Sequence, residues 1–217
     1  MTSSEAAELL SSANVTLAEI RKAVHHLPKT DRLVLYDENH INHRSAVGKF
    51  FEALVYEILL SEAEPSDKIE SIAAKLTDAE FIPYDKYSPD GLWYSRDGEI
   101  RFKRGKKVSS EVDLLLKTSD GTRIFGEVIV NPAGTKGFST EVESKRNFLS
   151  ELYGSDFEFL LVMPVSPKRD LKCLSEGDAC AVILDGDKMY QNVLSSEVLK
   201  RNLSATVSSK RVDGRVW

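Results

Sequence analysis

Val112-Asp113-Leu114-Leu115-Leu116-Lys117-Thr118-Ser119-Asp120-Gly121, followed by Phe125-Gly126-Glu127-Val128-Ile129-Val130, is the stretch that decides the fold. Two apolar runs of strand length flank Ser119-Asp120-Gly121, whose residue types favour a tight turn. Strands are therefore predicted at 111–117 and 122–130, paired as a hairpin. Each run carries one carboxylate, Asp113 in the first and Glu127 in the second. A carboxylate inside an apolar strand is costly unless something pairs with it. Side chains alternate along a strand, so Glu127 shares a face with Ile129, and Asp113 with Leu115. If both acids point the same way, they come within reach of one shared ion.

Downstream, Asn131-Pro132-Ala133-Gly134 leads out of the sheet. Thr140-Glu141-Val142-Glu143 has the form of a capping box, which predicts a helix from there to about 153, closed by Gly154. Val142, Phe148, Leu149 and Leu152 form its apolar stripe at about 100° per residue. Lys145 projects into that stripe, where a lysine must snorkel or pair with buried acids. Phe157–Met163 and Cys180–Leu184 read as two more strands. A last helix is predicted over about 194–203, and 204–217 reads as a polar end.

Upstream, residues 4–24 predict an amphipathic helix through Leu9, Leu10, Leu17 and Ile20, interrupted near Asn14. His25-His26-Leu27-Pro28 then turns the chain. A stronger helix is predicted over 43–62, with Val47, Phe50, Phe51, Leu54, Ile58 and Leu59 at helical spacing. Residues 67–79 read as a further helix. The prolines, aromatics and Asp97-Gly98 between 81 and 110 predict a loop and then a hairpin, roughly 92–95 with 99–103. This order predicts an α/β (α+β) fold, a small mixed β-sheet flanked by helices. One domain is expected over 1–217: a helical appendage at 1–40, a core at 41–203 and a tail at 204–217.

Composition agrees with a globular chain. With 217 residues, 41% of them hydrophobic, it can bury an ordinary core. No segment approaches the roughly 18 apolar residues that cross a bilayer. Early acids at Glu5 and Glu8 argue against a signal peptide. Cys173 and Cys180 suggest a reducing compartment and neither a disulfide framework nor a zinc site. A net charge of −5 argues against a protein that coats nucleic acid. Yet Arg96, Arg101, Lys103, Arg104, Lys106 and Lys107 crowd twelve positions just before Asp113. Such a run is ordinarily a solvated loop; beside a nuclease site it becomes a surface for nucleic-acid backbone.

Converging carboxylates with a lysine nearby are how a hydrolase holds divalent metal against a phosphodiester. A metal-dependent nuclease is therefore expected. The common nuclease pattern places its lysine two residues after the glutamate, where this chain has Ile129. Lys145 is the candidate replacement, with Lys136 as the alternate. On the helix at 43–62, His43 and Glu57 lie about 40° apart on one shoulder of the apolar stripe, while Glu52 falls near the solvent side. A histidine nitrogen added to carboxylate oxygens favours manganese over magnesium. Gly-rich phosphate loops, a Gly-x-Ser-x-Gly elbow and His-Glu-x-x-His are absent from the sequence. His25, His26 and His40 read as structural, without acidic or thiol partners at ligand spacing.

Asp113 through Gly121, Glu127-Val128-Ile129-Val130, Gly137-Phe138 and Lys145 together resemble the cap-snatching endonuclease of bunyaviruses, with the phenuivirus type most similar. That endonuclease is the N-terminal domain of the viral polymerase, the L protein, and belongs to the PD-(D/E)xK nuclease superfamily. The steps of 14 residues from Asp113 to Glu127 and 18 from Glu127 to Lys145 are similar to that group's spacing, as is the lysine displaced onto the following helix. The resemblance covers about 40–165. It implies manganese-dependent cleavage of capped host messenger RNA in the host cytoplasm, leaving primers for viral transcription. Magnesium would be the substitute ion, and two ions are implied. The remainder of the polymerase would follow in cis, the isolated domain being monomeric. By the match, Asp113 and Glu127 would be metal ligands, Lys145 the catalytic lysine and His43 the helix-borne metal histidine. Glu57 is expected as the further acidic ligand, with Glu52 as runner-up. Arg101, Lys103, Arg104, Lys106 and Lys107 are candidate RNA contacts. One departure is Val112, where the family has proline; Pro89-Asp90 supplies that dipeptide elsewhere. A DNA endonuclease on the same scaffold and a catalytically inactive binding module are the alternatives.

Overall fold

The computed structural model describes residues 1–75, 91–94, 100–104, 106–130, 137–167 and 170–185. Helices come first: α1 (Ser3–Ser12), α2 (Leu17–His26), α3 (Lys29–Val34) and α4 (His43–Ala63). Six strands follow: β1 (Ile69–Ala74), β2 (Gly91–Tyr94), β3 (Ile100–Arg104), β4 (Lys107–Val112), β5 (Leu114–Thr118) and β6 (Arg123–Val128). The described chain continues through α5 (Phe138–Tyr153), β7 (Phe157–Met163), α6 (Lys172–Ser175) and β8 (Cys180–Ile183). The class is the mixed one expected: a mixed sheet flanked by helices, with a helical N-terminal part.

Five strands form one sheet in the order β1-β5-β6-β7-β8. The first three run antiparallel and the last three parallel, because α5 carries the chain from β6 back to the start of β7. A separate antiparallel sheet has the order β2-β3-β4. The expected hairpin is β5–β6, with Leu114 opposite Gly126 and Leu116 opposite Ile124. Its turn needs Gly121, whose φ of 90° lies in the left-handed region that glycine tolerates. Asp120 accepts the Thr122 N–H at 3.1 Å and closes the turn.

Three elements differ from expectation. Residues 69–74 form a strand rather than a helix, pairing with β5 as Ile72 against Leu116 and Ala74 against Leu114. So short an apolar run has no decisive period, and the open edge of β5 captures it. The strand expected at 111–117 is two strands in two sheets: β4 ends at Val112, β5 starts at Leu114, and Asp113 sits at the switch. Helix α5 starts at Phe138 behind Gly137, whose φ is 86°, so Thr140 lies in the first turn and is not the cap. Gly154, at φ 65°, ends that helix as expected.

Strand alternation divides the interior. Leu114, Leu116, Ile124 and Val128 face α1, α2 and α4, while Leu115 and Phe125 face α5 and the smaller sheet with Phe102, Leu149 and Phe159. Residues 1–40 are therefore not an appendage. Ala6, Leu10, Ile20, Leu27 and Leu35 share one cluster with Leu54 and Leu160, and the Met1 amine meets Asp120 at 2.9 Å. Of the two free cysteines, Cys173 is buried and Cys180 half-buried. Among the described residues no helix is long and apolar enough to cross a membrane. The last predicted helix (194–203), the tail, the 131–134 exit, Pro89-Asp90, Arg96 and Lys136 lie outside the described residues.

Candidate functional site

Extending the β5–β6 register by one pair places Asp113 opposite Glu127. Two backbone contacts hold that geometry: the Asp113 N–H donates to the Gly126 carbonyl at 3.1 Å, and Asp113 Oδ2 accepts the Val128 N–H at 2.9 Å. Gly126 lets the strands close up beside the acids, since a Cβ there would stand 2.8 Å from Leu114 Cβ. The charged pair thus follows from local strand geometry at the point where the chain leaves one sheet for another.

The face of β6 that carries Glu127 also carries Ile129, and it looks toward α5. Ile129 packs with Phe138 and Val142 in a third apolar cluster. A lysine at 129 would have to lie among these groups. Lys145 reaches the acid from the helix instead, its Nζ 2.6 Å from Glu127 Oε1 and 3.1 Å from Glu141 Oε1, one turn earlier in α5. Glu127 and Lys145 are each only 8% exposed. A second lysine, Lys75, extends the pairing of β1 by donating its backbone N–H to the Asp113 carbonyl at 2.9 Å. Its Nζ lies 3.9 Å from both Asp113 Oδ1 and Glu111 Oε1. Ser110, Glu111, Asp113, Glu127, Glu141 and Lys145 are among the walls of a cavity of about 670 Å³.

The acids are held away from their ordinary ionisation. Burial first, then the charge of Asp113, pushes Glu127 up to about 8 against the pull of Lys145. Burial likewise raises Asp113, against the Val128 N–H and the two lysines. Burial alone would lower Lys145, but Glu127 and Glu141 outweigh it and hold it above the ordinary lysine value. The site is therefore short of positive charge even with both lysines in place.

Helix α4 places the expected ligands apart from one another. Glu52 is half-buried, and burial with the charge of Asp113 pushes it up to about 7. It belongs to the acidic cluster rather than to the solvent side. Glu57, five residues on, points about 140° away around the helix. It is buried against α2, in contact with His26 Nε2 and 3.6 Å from Lys22 Nζ. His26 thus has the acidic partner that its sequence spacing hid. His43 is engaged by Nδ1 with the Val34 carbonyl at 3.1 Å. It is about 13–14 Å of helix from Glu52. The periodicity misled because α4 is packed on both sides, by α2 and by the sheet, so burial on it does not report one face.

From Arg101 onward, the basic run lies in the β3–β4 hairpin. Arg101 and Lys103 are half-buried, Lys106 and Lys107 exposed, and Arg104 lies in β3 with its side chain outside the described set. Among the described residues no group of three His, Cys, Asp or Glu side chains stands close enough to hold an ion together. Asp113 acts through charge on both Glu127 and Glu52 without the three already sharing a centre. Sequence reasoning missed Lys75, Glu111 and Glu141. Only Glu141 left a signal, four residues before Lys145 on the same helix. Comparison of the chain with models of protein families, with curated proteins and with solved structures gave no match.

Proposed function

We propose that this chain is a divalent-metal-dependent nuclease that cleaves RNA. The observation that carries the reading is Lys145, buried on α5 and 2.6 Å from Glu127, with Asp113 opposite that glutamate in the wall of a cavity. The donor set fits a hard cation. It consists of carboxylate oxygens, and a cation between Asp113 and Glu127 removes the burial and repulsion that raise them. With His43 engaged at Val34, these oxygens suit magnesium as well as manganese. They support one ion at Asp113 and Glu127, with Glu52 sensing the charge of Asp113 from α4, rather than two fully ligated ions.

Such an ion, when bound, polarises a phosphoryl oxygen and activates water. The chain's own groups supply the rest. Asp113 and Glu127 orient the ion, and the backbone N–H of Val128 fixes the rotamer of Asp113. Lys145 places positive charge beside the reacting phosphate, where negative charge develops. Glu141 holds the Lys145 ammonium in position from its own helix.

The finer reading is the cap-snatching one: capped messenger RNA, cut in the host cytoplasm by a domain joined to a viral polymerase. The displaced lysine and its 18-residue step from Glu127 support it, and the positions of His43 and Glu57 do not. A second reading, a nuclease-like module that binds without cutting, is favoured by Ile129, which packs with Phe138 and Val142 where the common pattern has its lysine. A manganese titration with short single-stranded RNA and with duplex DNA, using the wild type, Asp113→Ala and Lys145→Ala, separates these. Manganese is expected to raise the melting temperature and support RNA cleavage by the wild type alone. If manganese does neither, the proposal is lost; cleavage of duplex DNA with RNA left intact selects the DNA endonuclease.

A further inference from the structure

The basic run is neither a loose loop nor scattered over the surface. In β3, Ile100 and Phe102 turn into the core, which puts Arg101 and Lys103 on the opposite face. Across the ladder, Arg101 pairs with Glu111 and Lys103 with Val108, which is 41% exposed, so that face looks outward. Lys106 and Lys107 stand exposed where the hairpin turns. At the other end the line reaches the cavity: Arg101 Nε is 3.8 Å from Glu111, Glu111 is 3.9 Å from Lys75, and Lys75 is 3.9 Å from Asp113. The chain as a whole carries −5, so this line of cations is a local exception to its charge.

We propose that the outer face of the β3–β4 hairpin is the track along which a single RNA strand enters the cavity. Lys106 and Lys107 hold phosphates at the tip, Lys103 midway, and Arg101 with Lys75 at the rim. This rests on the nuclease reading and adds to it how the substrate is held. Arg101 to Arg104 spans about 10 Å of strand, enough to follow a short stretch of a single strand's backbone. The charges fall on one line, which matches one backbone better than the two that border a duplex groove. The ion pairs of Glu111 are long, and that residue is half-exposed, so an arriving phosphate competes with a weakly held carboxylate.

The test is the salt dependence of binding, followed by fluorescence anisotropy of a short labelled single-stranded RNA in calcium. Neutralising Lys103, Lys106 and Lys107 together to Gln is expected to reduce the slope of log K against log salt by about 2, at roughly 0.7 per lost contact. Lys106→Glu/Lys107→Glu, confined to the exposed tip, is expected to shift the slope in the same direction should the triple variant fold poorly. Lys68→Gln, at the far end of β5 near Ser119, is a single-charge control away from the hairpin and is expected to keep the wild-type slope. A wild-type slope in both hairpin variants overturns the track, as does a slope that falls equally in the control. Binding of duplex DNA in preference to RNA overturns the single-strand assignment. Hydrolysis of bis(p-nitrophenyl) phosphate by the wild type in manganese reports on the nuclease reading separately, so the two can fail independently.

Discussion

Replacing Asp113 with Asn is expected to stabilise the metal-free protein at about pH 8 while abolishing cleavage. In the folded chain Glu127 is raised from 4.5 to about 8, by burial first and by the charge of Asp113 second. At about 1.4 kcal/mol per unit, that rise corresponds to roughly 5 kcal/mol. A carboxyl whose folded value exceeds its unfolded value binds its proton more tightly when folded. Its contribution to stability is complete below about 4.5 and is lost as the pH climbs to about 8. Removing the charge of Asp113, the second cause of that rise, is expected to return about 1–2 kcal/mol at the alkaline end. For a chain of this size that is a melting-temperature rise of about 3–6 °C. Asn keeps an oxygen for the Val128 N–H, and Lys75 keeps Glu111 at 3.9 Å, so little else changes. The assay is thermal unfolding of both proteins in chelator from about pH 5 to about pH 8, across the window of the Glu127 shift. The difference should open with rising pH and close near pH 5, where Glu127 is protonated in both. An Asp113→Asn protein that is less stable at pH 8, or a difference independent of pH, would falsify the electrostatic account of the site.

Lys145→Met, which keeps the apolar stem, should slow single-turnover RNA cleavage about 100-fold or more while leaving the circular dichroism spectrum unchanged; a rate within about threefold of wild type removes the lysine from the mechanism. Glu52→Gln should weaken manganese binding about tenfold by calorimetry. Glu57→Gln should leave that affinity alone and lower stability by about 2–3 kcal/mol through its contact with His26; the reverse pattern would restore Glu57 to the ligand set. Gly126→Ala should cost about 1–3 kcal/mol in urea unfolding, because the new Cβ meets Leu114 Cβ at 2.8 Å. A neutral result there would mean that β5 and β6 can part without loss.

The hairpin that presents both acids was legible because its signals are local. Ser119-Asp120-Gly121 needs only its own turn chemistry, and the alternation of Leu115, Leu116, Phe125 and Val128 needs only the strand period. Lys145 was legible for a similar reason, as a charge within an apolar helical stripe. Strand β1 was not legible, because the ladder with β5 supplies what its own pattern lacks. Lys75 was lost with it, since its place beside Asp113 comes from that pairing. The split of 111–117 between two sheets was hidden too, because continuous apolar character does not record a change of ladder.

What the sequence determined by itself was the inventory and its local order: two acids on neighbouring strands, a lysine held 18 residues on, a basic run before them and a long apolar helix. Only the tertiary structure decided which acid of that helix lies toward Asp113. Glu52 and Glu57 differ little in local sequence, and a helix buried on both sides offers no single stripe from which to choose. One packs on His26 and the other senses Asp113, because burial and charge depend on neighbours that lie far along the chain.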